Sequence, residues 1–551
     1  MDNLKLAELL FPHIDKTADY YEEKYPPRNL PEGAKVTRIA PSPTGYLHIG
    51  ALYGAVTDER SAHLSNGVFY LRIEDTDSKR EVSGAADLFI TMFEKYGLKF
   101  DEGAVRNGDS GDYGPYRQSE RTEIYQTFAK KLVAEGKAYP CFCTDEEIEQ
   151  IRKAQEAAGE NPGYYGKWAV WRDADEEKII AALNEKKPFV IRLRSQGDST
   201  KRIKITDAIK GDLEFPKNDQ DFIILKSDGT PPYHFAHAID DHLMRTTHVV
   251  RGEEWLATLP WHVELFSALG FKRPVYCHTA NIMKLDNGSK RKISKRKDPE
   301  ADVAMFLREG YPQNGLIEYV LTLLNSNFEE WRRTNPLADK NEFPFSFKKM
   351  GVAGPLFDFE KLYDICKDVV SRMDADTVYE NAAAWMKEYD PDFYAVFTKD
   401  PAYAKSILSI GRGGNKPRKD FGLWKEIKDY MGFFYNELFD PEYIFPENFR
   451  KEDIIAVLEK YPLVYDENDD QQQWFEKLKA IASSVGYAAD TKEYKKNPEA
   501  YKGHVGDIAM MIRVAITGKQ VSPDTYAVIR ILGADEMKRR IEKCRAEIES
   551  K

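Results

Sequence analysis

The feature that most constrains this chain is a strand, a Gly/Pro turn, a helix and a second strand packed into about forty residues near its start. Val36 to Ala40 is an apolar strand candidate running into Pro41-Ser42-Pro43-Thr44-Gly45, a turn-forming sequence. Apolar residues at Ile49, Leu52, Tyr53, Val56 and Leu64 then recur at helical spacing. Phe69 to Glu74 is the next strand candidate. Together they make one βαβ unit, so the spacing predicts a parallel sheet. The helix would begin at His48. Helix N-termini present unpaired N–H groups and a positive dipole end, which suits phosphate. Gly45 and Gly50 permit close backbone approach, and His48 can donate to a phosphate oxygen. Taken alone, His-x-Gly is also what an ordinary strand-to-helix turn with a surface histidine carries.

Strand-like and helix-like runs alternate from Lys35 to about Leu324. Residues 112–220 read as an insertion, with a helical pattern from Ser119 to Gly136 and a strand at Phe189 to Leu193. Phe222 to Leu225 and Thr247 to Val250 resume the strand pattern. From about residue 335 helix-like segments dominate, which predicts an α/β front half and an α-helical back half. Ahead of all this, Leu4, Leu6, Leu9, Leu10 and Ile14 could form a short amphipathic helix before Pro26, Pro27, Pro31 and Gly33 break the chain. The function of residues 1–34 is not readable.

With 551 residues, 42% hydrophobic and 12% aromatic, the chain can build several cores, which excludes a wholly disordered protein. No apolar run nears the roughly 20 residues of a membrane span, and no secretory signal opens the chain. Cys141, Cys143, Cys277, Cys366 and Cys544 are too sparse, and odd in number, for a disulfide framework, so a reducing cytoplasm is expected. The net charge of −11 gives no reason to expect nucleic acid, but phosphate binding depends on local basic patches.

One such patch is Lys290-Arg-Lys-Ile-Ser-Lys-Arg-Lys297, six basic residues in eight. Alone it could be a solvated loop or a localisation-type cluster. Paired with His48-Ile-Gly-Ala51, some 245 residues earlier, it resembles the two marks of class I aminoacyl-tRNA synthetases, HIGH and KMSKS. Further stretches are similar to the glutamyl-tRNA synthetase family: Arg38-Ile-Ala-Pro-Ser-Pro-Thr-Gly45, Leu71-Arg-Ile-Glu-Asp-Thr-Asp77, Tyr116-Arg-Gln-Ser-Glu-Arg121, Asp240-Asp-His-Leu-Met244 and Thr247-His-Val-Val-Arg-Gly-Glu-Glu-Trp255. Ile512-Arg-Val-Ala-Ile-Thr-Gly518 resembles a late motif of the bacterial type. The likeness runs from about Val36 to the C-terminus and is looser after residue 330.

The resemblance implies a Rossmann-like parallel-sheet catalytic domain over 35–111 and 221–330. An α+β acceptor-end-binding insertion would occupy 112–220, a stem-contact region 331–375, and an α-helical anticodon-binding domain 376–551, all after an N-terminal extension, 1–34. It implies ATP-dependent joining of glutamate to the 3′ end of tRNA(Glu) through glutamyl-adenylate. Neither step needs a protein nucleophile, so positioning and charge stabilisation would carry the chemistry. His48, Lys292 and Lys295 would be the catalytic residues. Gly50, Glu254, Trp255, Leu256 and Ser294 would join His48 and Lys295 around ATP and its Mg²⁺. Ala51 replaces the second histidine of HIGH, as is usual in the glutamyl branch, so more weight falls on His48. Arg251 would read the γ-carboxylate, with Arg38 a second candidate, because a planar guanidinium makes two parallel bonds to a carboxylate. Glu74 would hold the α-ammonium. Ala40, Ser42, Tyr233 and His237 would complete the pocket, although relatives can carry asparagine at the position of His237.

Cys141-Phe-Cys143 resembles half of a zinc site known in some members. Tyr164-Tyr-Gly-Lys-Trp168 follows without the third cysteine, and structural zinc wants four Cys/His ligands, so no zinc is expected. Lys79, Arg80, Arg296 and Lys297 could meet the tRNA acceptor end. Arg412 and Arg418, in a loop of net charge +3 spanning 411–420, could contact the anticodon side or simply be solvated. A monomer is the family expectation, and tRNA(Gln) is a possible second acceptor. The alternatives are a glutaminyl enzyme, disfavoured by Arg251 and the helical back half, and a tRNA-binding paralogue without chemistry, disfavoured by His48, Lys292, Lys295, Glu74 and Arg251.

Overall fold

The computed structural model describes residues 2–77, 82–414 and 417–550 and divides into two compact units. The first comprises Met1–Met305 with Ile317–Asp358, and the second Phe306–Leu316 with Phe359–Lys551. The division between the units falls at Asp358, inside the 331–375 region, and the short earlier segment Phe306–Leu316 belongs to the helical unit.

At the centre of the first unit, Val36–Ile39, Val68–Leu71 and Glu102–Val105 pair in parallel, with Val36 opposite Val68 and Tyr70 opposite Glu102. Val36, Thr37, Phe69, Tyr70 and Leu71 are essentially sealed from solvent, as expected for strands covered on both faces. A second parallel pair, His248–Gly252 with Val275–Thr279, lies along the free edge of Val36–Ile39. There Thr247 N–H donates to Val36 O at 3.0 Å and Val36 N–H to Thr247 Oγ1 at 2.8 Å. The strand order reverses between these two sets, and the crevice at such a switch point is where open α/β sheets bind ligands.

The predicted helix runs Ile49–His63. It is buried on nearly every side rather than along one stripe, and Leu64, expected on the apolar face, is exposed. Gly67 carries the chain back into the sheet where a Cβ would come 1.9 Å from Lys35 O, so only glycine fits.

The insertion builds its own antiparallel sheet, Ala138–Cys141, Val190–Leu193 and Ile223–Leu225. Its sheet thus extends past the expected end at 220, because Ile191 pairs with Leu225. The N-terminal extension forms the helices Asn3–Leu10 and Ala18–Lys24 and braces this region. Lys130 binds Glu8 (2.9 Å) and Ile14 O (2.8 Å), Lys16 binds Glu123 (2.7 Å), and Glu22 pairs with Arg245 and His242. Leu6, Leu10 and Ile14 are buried there, whereas Leu4 and Leu9, expected on the same face, are exposed.

Among the described residues, the regular elements of the second unit are helices, apart from an isolated bridge between Ala488 and His504. Asp374, Asp390, Asp400, Asp470 and Asp524 each accept a backbone N–H at a helix start, satisfying donors that the first turn leaves open. Its core gathers Trp424, Val457, Tyr461, Ile512, Val528 and Met537.

Candidate active site

A cavity of about 630 Å³ opens at the carboxyl ends of the parallel strands in the first unit. Arg38, Ala40, Ser42, His48, Gly50, Glu74, Tyr233, Arg251, Glu254, Trp255, Lys292, Ser294 and Lys295 all line it. Strand ends, the turn before the first helix and the basic loop thus converge on one space.

One end is cationic. His48 caps its helix by accepting Gly50 N–H at its Nδ1 (2.9 Å), which leaves the ring proton on Nε2. Burial, reinforced by Lys295 and Lys292, pushes its pKa down to about 4, so the ring is neutral at pH 7. Lys295 Nζ donates to Tyr46 O (3.1 Å), and burial lowers its pKa. Lys292 Nζ stands 3.7 Å from Glu254. The basic run rises on the hairpin Met283–Asp286 and Ser289–Lys292, and Asp298 ties its far end down. Arg291 grips Asp298 through two bonds of 2.6 and 2.7 Å, Lys284 adds a contact at 3.0 Å, and Ser294 N–H donates at 2.8 Å. Arg291 and these partners hold the Asp298 carboxyl far below the usual range.

The other end gathers three arginines and their acidic neighbours. Arg38 is buried and ion-paired: its Nε binds Asp241 at 3.0 Å and its Nη1 donates to Val250 O. Arg72, wholly buried, bridges Asp241 (2.7 Å) and Glu74 (3.1 Å). Arg251 differs. Among the described residues, no carboxylate lies within ion-pair distance of it, though its side chain is largely buried. Of the two candidate arginines it alone faces the cavity with its charge uncompensated. Glu74 also lines the cavity; burial outweighs Arg72 and Arg38 and raises its pKa.

Three expectations are corrected. His237 does not line the cavity: it lies fully buried behind Tyr233, with the rings stacked at 5.5 Å and its Nδ1 2.5 Å from Asp241. Leu256 packs against Ile205, Val249, Leu259 and Tyr276 instead of facing the adenosine side. Arg412 turns inward, donating to Leu408 O and Val370 O at 2.7 Å each, so its donors serve helix ends and not an RNA. Ser294, by contrast, lines the cavity as expected of its position, and its Oγ accepts Arg296 N–H within its own loop. Arg418 is exposed but paired with Asp420 at 2.7 Å, Arg296 and Lys297 are exposed, and Lys79 and Arg80 lie outside the described residues. Asp241 lies in the Asp240-to-Met244 stretch that the sequence marks, but its partnership with Arg38 and Arg72 is visible only in the fold; Asp298 and Tyr46 carry no assigned role in the sequence reading.

Cys141 and Cys143 both turn to Tyr164 OH, at 3.3 and 3.6 Å. Two thiols and a phenol do not supply the four Cys/His ligands of structural zinc, and among the described residues no group of three His, Cys, Asp or Glu is arranged to hold a metal.

Residues 35–347 match the family model of tRNA synthetases class I (E and Q), catalytic domain, and residues 418–545 match an anticodon binding domain. A glutamate–tRNA ligase of Acetivibrio thermocellus is 52% identical over 98% of this chain and all of its own length. One from Clostridium perfringens strain 13 is 48% identical over 97% of this chain and 99% of its own. A crystal structure of a glutamate tRNA ligase from Elizabethkingia meningosepticum, in complex with its amino acid, superposes with a TM-score of 0.73 at 27% identity, covering 93% of this chain and 99% of that one. The chain belongs to the glutamate–tRNA ligase family.

Proposed function

We propose that this chain joins L-glutamate to the 3′ end of tRNA(Glu). The observation that carries the reading is the uncompensated guanidinium of Arg251, sharing one cavity with Glu74, His48 and Lys295. A carboxylate-bearing side chain would complete the Arg251 charge, and Glu74 would take the α-ammonium. A glutamate α-carboxylate oxygen would attack the α-phosphorus of ATP, and the bond to pyrophosphate would break. Mg²⁺ enters with the nucleotide as part of the substrate. Lys295 and Lys292 face the charge that develops on the phosphates, and neutral His48 donates through Nε2. The 2′-hydroxyl of the terminal adenosine would then take the glutamyl group and AMP would leave.

Arg296 and Lys297 are our candidates for acceptor-end contacts, together with Lys79 and Arg80. The second unit, which contains the matched anticodon binding domain, is our candidate for the anticodon stem and loop. The absence of any helix long and apolar enough to cross a membrane among the described residues is compatible with work in the cytoplasm. A monomer fits the two-unit chain.

The test offers labelled glutamate or glutamine with ATP and Mg²⁺ to purified tRNA(Glu) and tRNA(Gln). Glutamate on tRNA(Glu) is the expected product. Glutamate on both tRNAs would add tRNA(Gln) as an acceptor and require an amidating partner. Charging with neither amino acid would overturn the proposal.

A further inference from the structure

We infer that His262 and His278 are positioning residues that hold the Arg251 guanidinium by accepting its hydrogen bonds while leaving its charge free for the substrate; this rests on the reading of Arg251 as the γ-carboxylate contact. Arg251 Nε donates to His278 Nε2 at 3.0 Å, and Arg251 Nη2 to His262 Nδ1 at 3.0 Å. An arginine has donors and no acceptor, so both imidazole nitrogens must be unprotonated. That assigns every ring proton. His278 carries its proton on Nδ1 and gives it to Asp207 Oδ2, 2.7 Å away. His262 carries its proton on Nε2 and gives it to His234 Nδ1 at 2.8 Å. The Tyr276 ring, 4.7 Å from the guanidinium carbon, supports one face.

The choice of imidazole has a consequence. Buried cations are ordinarily paired with carboxylates, which neutralise them, as Asp241 does for Arg38. His262 and His278 are completely buried neutral acceptors, and their own pKa values are lowered chiefly by burial, with Arg251 opposing protonation too. They fix the direction of the guanidinium without cancelling its charge. Asp207 stands one ring further away, where it orients His278 rather than neutralising Arg251. A γ-carboxylate then gains a full, preoriented charge, and a γ-amide does not.

The experiment compares His262→Leu and His278→Leu with His262→Asn and His278→Gln, which restore an acceptor near the lost nitrogen, and places each leucine variant also in an Arg251→Ala background. Glutamate KM should rise about tenfold or more in the leucine variants, the scale of a hydrogen bond to a charged group, and be largely recovered in the amide variants. ATP KM and kcat should move by less than about threefold, the mark of lost glutamate binding alone. In the Arg251→Ala background the leucine changes should add nothing, whereas a merely structural role would add its cost in both backgrounds. Unchanged glutamate KM in the leucine variants, with Arg251→Ala impaired, would overturn the positioning role and spare the Arg251 reading. Unchanged glutamate KM in Arg251→Ala would overturn both. If the leucine variants do not fold, ¹⁵N-histidine spectra of the unmodified protein at pH 7 decide. Nδ1–H on His278 and Nε2–H on His262 are expected, and an imidazolium or the opposite tautomer at either would overturn the inference.

Discussion

Asp241→Asn should destabilise the first unit by about 3–5 kcal/mol, the cost of leaving a buried charge unpaired. Asp241 belongs to a cluster in which Arg38, Arg72 and Arg121 meet Asp240, Asp241 and Glu74, none of them more than 9% exposed. Arg121 binds Asp240 at 2.6 Å, while Asp241 serves both Arg38 (3.0 Å) and Arg72 (2.7 Å). Three cations meet three anions. Asparagine preserves the volume, so no cavity adds to the cost, but it leaves one positive charge without its counterpart. The arginines hold the Asp241 carboxyl well below the usual range even against burial. A depressed carboxyl contributes stability above its unfolded pKa of about 3.9 and loses it as pH falls through the lower folded value. The penalty should therefore be constant from pH 8 to 5 and shrink only under stronger acid. Native-state amide exchange in Val36–Ile39 and His248–Gly252 measures it directly. Because Arg72 also binds Glu74, glutamate KM should rise in the same variant. Opening free energies within about 1 kcal/mol of the unmodified protein would refute the idea that the cluster depends on neutrality.

Lys295→Ala should lose at least ~100-fold in aminoacylation while tRNA binding changes little, and unchanged turnover would remove Lys295 from the mechanism. His48 should titrate near pH 4 by NMR, where a midpoint near 6.5 would contradict its burial beside two lysines. Since the unfolded chain takes up this proton first, the His48 contribution to stability is present above about pH 6.5 and declines as pH falls from there to about 4. Asp298→Asn should loosen the basic loop, raising ATP KM several-fold and exposing residues 292–298 to proteolysis, and equal cleavage rates would count against its anchoring role.

The parts of the molecule visible in its sequence are those with a local signature. The turn before His48 announces itself in consecutive prolines and glycines, and the helix after it in its apolar period. The basic run of 290–297 is dense enough to stand out. The groups that hold the site together have no such signature. Arg38 meets Asp241 across 203 positions, and Arg251 meets His262 and His278 through the side-by-side register of two strands and a helix. Residues at such separations are joined only by the fold. The misplacement of His237 has the same origin: helical periodicity puts it one turn from Tyr233 but does not say which of the two closes over the other. Arg412 looked like a free cation because charge in a glycine-rich loop is legible, whereas the helix carbonyls waiting for it are not.

The brace formed by the first helices bears on how the chain is made. Glu22 closes onto His242 and Arg245, 220 and 223 positions later. At about 5–20 residues per second of synthesis, this segment waits roughly 10–45 seconds for those partners to be translated. The helix that carries Leu6 and Leu10 meets its own landing place, Thr122–Ala134, about halfway through that interval. The ion pairs of Glu22 are thus completed well after the apolar contacts of the helix before it, and a substitution at Glu22 would act on that later closing step.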